Sequence, residues 1–74
     1  MIVVTGAAGF IASFLAEKLN ESGVNDLILV DDFSREDKES NHKNLECHSK
    51  IERTAFIDWF STNHHKVDFV FHLG

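Results

Sequence analysis

Ile2-Val3-Val4-Thr5-Gly6-Ala7-Ala8-Gly9-Phe10-Ile11-Ala12 runs from an apolar stretch through two glycines into a helical pattern, and this order decides the fold. Ile2, Val3 and Val4 form an unbroken β-branched run, the composition of a strand covered on both faces of a parallel sheet. Gly6 supplies backbone angles closed to other residues. Gly9, lacking a Cβ, lets a diphosphate approach the main chain where the helix starts. Unpaired N–H groups and the positive end of the helix dipole make that start an anion site. The spacing is G-x-x-G-x-x-A, with Ala12 as the third small position. A strand before the glycines and a helix after them supply the context that a dinucleotide-binding turn requires.

Working outward, Ile11, Leu15 and Leu19 recur every fourth residue with Phe14 beside them, while Glu17, Lys18, Asn20 and Glu21 alternate with them. This pattern predicts an amphipathic helix that buries the first set and turns the second outward. Gly23 is placed to stop it. Val24-Asn25-Asp26 then leads into a second buried run, Leu27-Ile28-Leu29-Val30. A β-α-β unit in about thirty residues implies parallel strands. From Asp32 to Lys50 the chain is polar and aperiodic and reads as a loop, with a short third strand expected near Leu45 to Cys47. Arg53 to Ser61 predicts a short helix with Phe56, Ile57 and Phe60 on one face, Asp58 opposite, and Asn63 at its end. Val67 to Leu73 is the last strand. The fold class is therefore α/β, the N-terminal part of a doubly wound parallel sheet, and the chain reads as a piece of a longer one.

The 74 residues carry a formal net charge of −5, which disfavours nucleic acid and anionic membranes as partners. No stretch approaches the ~20 apolar residues of a membrane span, so a cytoplasmic protein is the default. Cys47 is the only cysteine, and the five histidines match no metal-ligand spacing, so no metal is expected.

Asp31 closes the second run about 25 positions after Gly6, close to the offset at which an acid accepts hydrogen bonds from the adenosine ribose. Asp32 follows it, and either could serve. Arg35, Lys38 and Arg53 could pair with a 2′-phosphate, or they could belong to a solvated, mixed-charge loop. His72 sits near the end of the last strand, where this fold collects its ligands; the alternative is a packed histidine. Trp59, with Phe56 and Phe60, reads most simply as core, with adenine stacking as the alternative.

With Thr5-Gly6-x-x-Gly9-Phe10-Ile11, Asp31 and Phe71-His72-x-Gly74 in view, the whole chain resembles the N-terminal portion of the extended short-chain dehydrogenase/reductase family of nucleotide-sugar epimerases and dehydratases. Met1-Ile2-Val3-Val4-Thr5-Gly6, Leu19-Asn20-x-x-Gly23 and Asp26-x-Ile28-x-Val30-Asp31-Asp32 bring it nearest the epimerases within it. The resemblance implies a Rossmann domain of which residues 1–74 are a part, with a substrate domain elsewhere in a longer, homo-oligomeric protein. It implies an enzyme that oxidises a carbon of a nucleotide-sugar to a ketone and returns the hydride to the opposite face. The implied cofactor is NADP, with NAD as the alternative. By the same resemblance the backbone of Phe10 and Ile11 meets the pyrophosphate, Asp31 and Asp32 the adenosine half, Lys38 and Arg53 the 2′-phosphate side, and Gly74 begins the loop under the nicotinamide. Family members usually carry glycine where Ala12 stands. The family's Tyr-x-x-x-Lys pair is missing, since the chain contains no tyrosine, so no catalytic residue is expected here. Alternatives are a dehydratase or reductase of the same family, or a non-catalytic dinucleotide sensor on the same fold.

Overall fold

A computed structural model describes residues 1–73; Gly74 lies outside the described residues. Strands β1 (Ile2–Thr5), β2 (Leu27–Asp31), β3 (Ser49–Glu52) and β4 (Phe69–His72) form one sheet in the order β3-β2-β1-β4, and every pairing is parallel. Val3 lies opposite Ile28 on one side and Val70 on the other. Helices α1 (Phe10–Glu21), α2 (Glu39–His42) and α3 (Phe56–Asn63) carry the connections, with single 3-10 turns at Glu36–Lys38, Arg53–Ala55 and His64–Lys66. Among the described residues no helix is long and apolar enough to cross a membrane.

The pleat divides the core in two. Val4, Leu27 and Leu29 face α1 with Ala7, Ala12 and Ala16, while Val3, Ile28 and Val30 face Phe56 and Trp59 of α3. Val3, Val4, Leu27, Ile28 and Leu29 are fully buried, each stabilising the fold by about 1.5–3 kcal/mol as an upper figure. Helices on both faces explain why β1 and β2 show no polar alternation. Trp59 and Phe56 are thus packing residues, half-buried against this side of the core.

Helix α1 buries a different face from the one its large side chains predict. Ala12, Ser13 and Ala16 are buried, whereas Ile11 is 70% and Phe14 54% exposed, and Leu15 and Leu19 are half-buried. Residues with short side chains let the helix backbone lie close to the sheet, and bulkier ones at those positions would hold it away. Asn20, expected outward, is half-buried: its amide donates to the carbonyls of Val24 (3.0 Å) and Glu46 (2.9 Å) and accepts from the Glu46 N–H (2.8 Å). The helix stops as expected. Gly23 takes φ +87°, the Gly23 N–H donates to the Asn20 carbonyl, and the Val24 N–H donates to the Leu19 carbonyl.

The third strand lies at Ser49–Glu52, not at Leu45–Cys47. Leu45 and Cys47 pack instead against the α1 side of the core, and Ile51 takes the place opposite Val30. The stretch from Asp32 to Lys50, read as loop, contains the Glu36–Lys38 turn and α2. Ile57, expected on the inner face of α3, is 74% exposed, and Trp59 takes its place against the sheet. Strand β4 is shorter than expected, since Val67 is already extended but the pairing with the four residues of β1 runs only from Phe69 to His72.

The packing of α1 sets opposite outcomes for two substitutions. Ala16→Leu should destabilise the protein by about 1–3 kcal/mol through overpacking, while Ile11→Ala should stay within about 0.5 kcal/mol of wild type. Urea denaturation of both variants checks this, and a larger loss at Ile11 would contradict the packing described.

Candidate cofactor site

Strand β1 has neighbours on both sides, and its outgoing chain passes to β2 through α1 whereas β4 arrives from β3 through α3. The crevice at the carboxyl ends of β1 and β4 is therefore the switch point where doubly wound sheets bind ligands. Thr5 and His72 mark it, with Thr5 Oγ1 and His72 Nδ1 2.6 Å apart. His72 is thus neither isolated nor packed away: its ring is tied to Thr5 at the rim, and its residue is exposed.

The chain leaves β1 through Gly6 at φ +69°, a left-handed conformation that favours glycine. The Ala7 N–H still donates to the Val30 carbonyl (3.1 Å), and the Gly9 N–H closes the turn onto the Gly6 carbonyl (2.9 Å). Gly9 caps α1 with φ −75° and ψ 161°, angles open to any residue, so space decides its identity. A Cβ there would stand 3.2 Å from the Gly6 carbonyl oxygen, and a longer side chain would occupy the approach to the helix start. The Ser13 N–H donates to the Gly9 carbonyl, while the N–H groups of Phe10, Ile11 and Ala12 precede the helical ladder. Phe10 and Ile11 carry exposed side chains, so what they offer a ligand at this turn is backbone. Such a cradle fits a diphosphate.

Asp31 reaches this turn. Its Oδ2 accepts from the Ala8 N–H at 2.9 Å and its Oδ1 from the Asp32 N–H at 2.6 Å, and a carboxylate keeps further lone pairs for ribose hydroxyls. Asp32 turns to Ser34, accepting from its hydroxyl (2.5 Å) and its N–H (3.1 Å). Those bonds, with lesser help from Arg53 and Arg35, hold its carboxyl below the usual range. Arg35 is occupied, forking onto Asp37 at 2.9 and 3.1 Å. Lys38 closes the Glu36–Lys38 turn, and Arg53 follows β3 with no ion-pair partner among the described residues. Gly6, Gly9, Phe10, Ile11 and Asp31 thus meet at one turn, while Asp32 follows Asp31 and points to Ser34, under the charge of Arg53. The expectation for Gly74 falls outside the described residues.

The model of the NAD dependent epimerase/dehydratase family matches residues 2–74. The chain belongs to that family. It is 37% identical over 76 residues to an ADP-L-glycero-D-manno-heptose-6-epimerase of Fusobacterium nucleatum, covering 100% of this chain and 23% of that protein. It is 35% identical over 77 residues to the enzyme of the same name from Brachyspira hyodysenteriae, covering 100% and 24%. The chain therefore spans about a quarter of the length of these relatives. A nicotinamide cofactor follows from the family, and the cradle at Gly6–Ala12 fits one.

Two contacts near the turn left no signal in the pattern of residues. The Asn41 side chain donates to the Ala8 carbonyl at 3.0 Å. Beside it His42 is 6% exposed, with its ring edge-on to Phe33 at 4.9 Å. The Lys50 ammonium donates to His42 Nδ1 (3.1 Å) and to its carbonyl (3.3 Å). The Nδ1 contact makes Nε2 the protonated nitrogen, which has no partner among the described residues. Burial, then the Lys50 charge, pushes the His42 pKa below its ordinary value near 6.5, against weaker opposing effects of Glu39 and Asp31. The folded protein holds the neutral ring, so the unfolded chain binds this proton more readily. His42 therefore contributes stability above about pH 6.5 that is lost as pH falls through its folded value. Urea midpoints measured from pH 7.5 down to 5 should fall, and His42→Gln should flatten that slope; an unchanged slope in the variant would refute the assignment.

Proposed function

We propose that this chain is the cofactor-binding part of an NADP-dependent epimerase that acts on an ADP-activated heptose by transient oxidation and re-reduction of one sugar carbon. The observation that carries the cofactor half is the Gly6–Gly9 turn, which ends with the unladdered N–H groups of Phe10, Ile11 and Ala12 beside the β1–β4 crevice. The names of the two relatives support the sugar, and their greater length supports a substrate-binding part beyond these residues. When bound, the nicotinamide supplies the hydride acceptor and donor. The residues of this chain bind and orient: backbone N–H groups of Phe10 and Ile11 hold the diphosphate, and Asp31 accepts from the adenosine ribose. Asp32, turned toward Ser34, lines the same half. The substrate is a small nucleotide-sugar, nucleic acid and membrane are not partners, and the whole protein works as a homo-oligomer in the cytoplasm.

NADP is favoured over NAD by the cations Lys38 and Arg53. A 2′-phosphate beside Asp31 is repelled, and at a few ångströms that repulsion amounts to about 1–4 kcal/mol in a hydrated site. Lys38 and Arg53, which have no ion-pair partner among the described residues, offset it, whereas Arg35 is committed to Asp37.

Two binding measurements test these readings. In calorimetric titration Gly9→Val should weaken dinucleotide binding by at least about tenfold, because the branched side chain fills the approach to the helix start; equal affinities would refute the diphosphate position. Arg53→Ala should weaken NADP by about fivefold or more and leave NAD unchanged, in keeping with a charge-assisted bond of about 1.5–3 kcal/mol screened at the surface. A tighter NAD complex in the wild type, indifferent to Arg53, would reverse the cofactor assignment.

A further inference from the structure

The peptide between Ala8 and Gly9 is held at both of its polar ends. Its N–H, on Gly9, donates to the Gly6 carbonyl at 2.9 Å, and its carbonyl, on Ala8, accepts from the Asn41 side-chain amide at 3.0 Å. Only the NH2 group of an asparagine can donate to a carbonyl, which fixes the orientation of the Asn41 amide. Ala8 itself is fully buried, and its N–H is held by Asp31 at 2.9 Å. The adjoining residue is glycine, whose freedom in φ lowers the barrier to turning this peptide over. An inverted peptide would turn the Ala8 oxygen toward the Gly6 carbonyl oxygen, two acceptors facing each other, break the bond that closes the turn and displace the start of α1, where the N–H groups of Phe10 and Ile11 stand.

We propose that Asn41 is a positioning residue for the cofactor diphosphate: it locks the Ala8–Gly9 peptide, keeps the Gly6–Gly9 turn closed and so holds the N–H groups of Phe10 and Ile11 where the diphosphate meets them. The proposal rests on the dinucleotide reading above and adds a residue that reaches the turn from 33 positions away in the chain. Its own anchor is strong. Helix α2 ends at His42, which is buried, packed edge-on against Phe33 and bound through both its ring and its carbonyl by Lys50 of β3. Lys38 immediately precedes the same helix, so one short segment joins the expected 2′-phosphate contact to the diphosphate turn.

The test compares two probes in the protein carrying Asn41→Ala or Asn41→Asp. NADP carries the diphosphate, and adenosine carries no phosphate. Loss of the lock should weaken NADP by at least about fivefold in calorimetric titration, the effect of one lost hydrogen bond. Adenosine binding, followed by NMR titration, should stay within about twofold of wild type, since Asp31 remains in place. Asn41→Asp keeps the shape while replacing the donor with a carboxylate, and it should weaken NADP more than Asn41→Ala does; it also serves if the alanine variant folds poorly. Equal weakening of both probes assigns Asn41 a purely structural role and overturns the proposal, as does unchanged NADP affinity. A wild-type protein that binds neither NADP nor NAD overturns the dinucleotide reading together with the proposal, which separates the two failures.

Discussion

Close contact between α1 and the sheet is the constraint on which the other features depend. Ala7, Ala8, Ala12 and Ala16 are buried with almost no accessible surface, so the helix backbone rests directly on the layer formed by Val4, Leu27 and Leu29. A helix held further out by leucines would move its first turn away from the end of β1. The small inner face therefore positions the N–H groups of Phe10 and Ile11 at the crevice. It also leaves Phe10, Ile11 and Phe14 on the outside, because a helix that buries its small face presents its larger side chains elsewhere.

Around that contact, the polar bonds form a frame with the turn at its centre. Asp31 at the end of β2 holds the Ala8 N–H, Asn41 on α2 holds the Ala8 carbonyl, and Val30 holds the Ala7 N–H. Asn20 does comparable work at the other end of α1, fastening the chain at Glu46 before it enters β3. Each is a side chain or strand satisfying a backbone group that would otherwise be left unpaired at a buried or half-buried turn, where the penalty is about 1–3 kcal/mol. The carboxylate expected to read the ribose is thus also part of what shapes the turn.

The parts of the fold legible from sequence are those where local chemistry and tertiary role agree. Val3, Val4 and the Leu27–Val30 run are apolar because both sheet faces are covered, Gly6 and Gly23 stand where positive φ is required, and Asp31 ends its strand beside the turn. Where the two disagree, hydrophobicity misleads. Ala12 is legible as the small third position of the glycine pattern, but alanine carries a weak apolar signal, so the periodicity of α1 points to Ile11, Leu15 and Leu19 with Phe14 although Ala12 and Ala16 make the buried contact. Leu45 and Cys47 drew the third strand toward themselves, while the real strand, Ser49-Lys50-Ile51-Glu52, has one apolar residue and owes its pairing to its neighbour β2. Asn41 meets Ala8, and His42 meets Lys50, only through the tertiary structure, and no spacing rule announces an amide that bonds a distant carbonyl. Around the turn, the sequence pattern shows where the glycines and Asp31 stand, whereas only the structure shows Arg35 paired with Asp37 and Arg53 without an ion-pair partner among the described residues.

The pairing of β4 with β1 carries a consequence for how the molecule assembles. The contacts that shape the glycine turn span 23 and 33 residues, whereas the bond between Thr5 and His72 across the crevice spans 67. Closing a longer loop removes more chain entropy, though only slowly with length, and contacts distant in sequence slow folding. On a ribosome the first strands, α1 and α2 emerge well before β4, so the glycine turn is built from chain already synthesised while one wall of the crevice is still missing. Strand β4 arrives beside a turn already in place, and its pairing turns an open edge of β1 into a paired one.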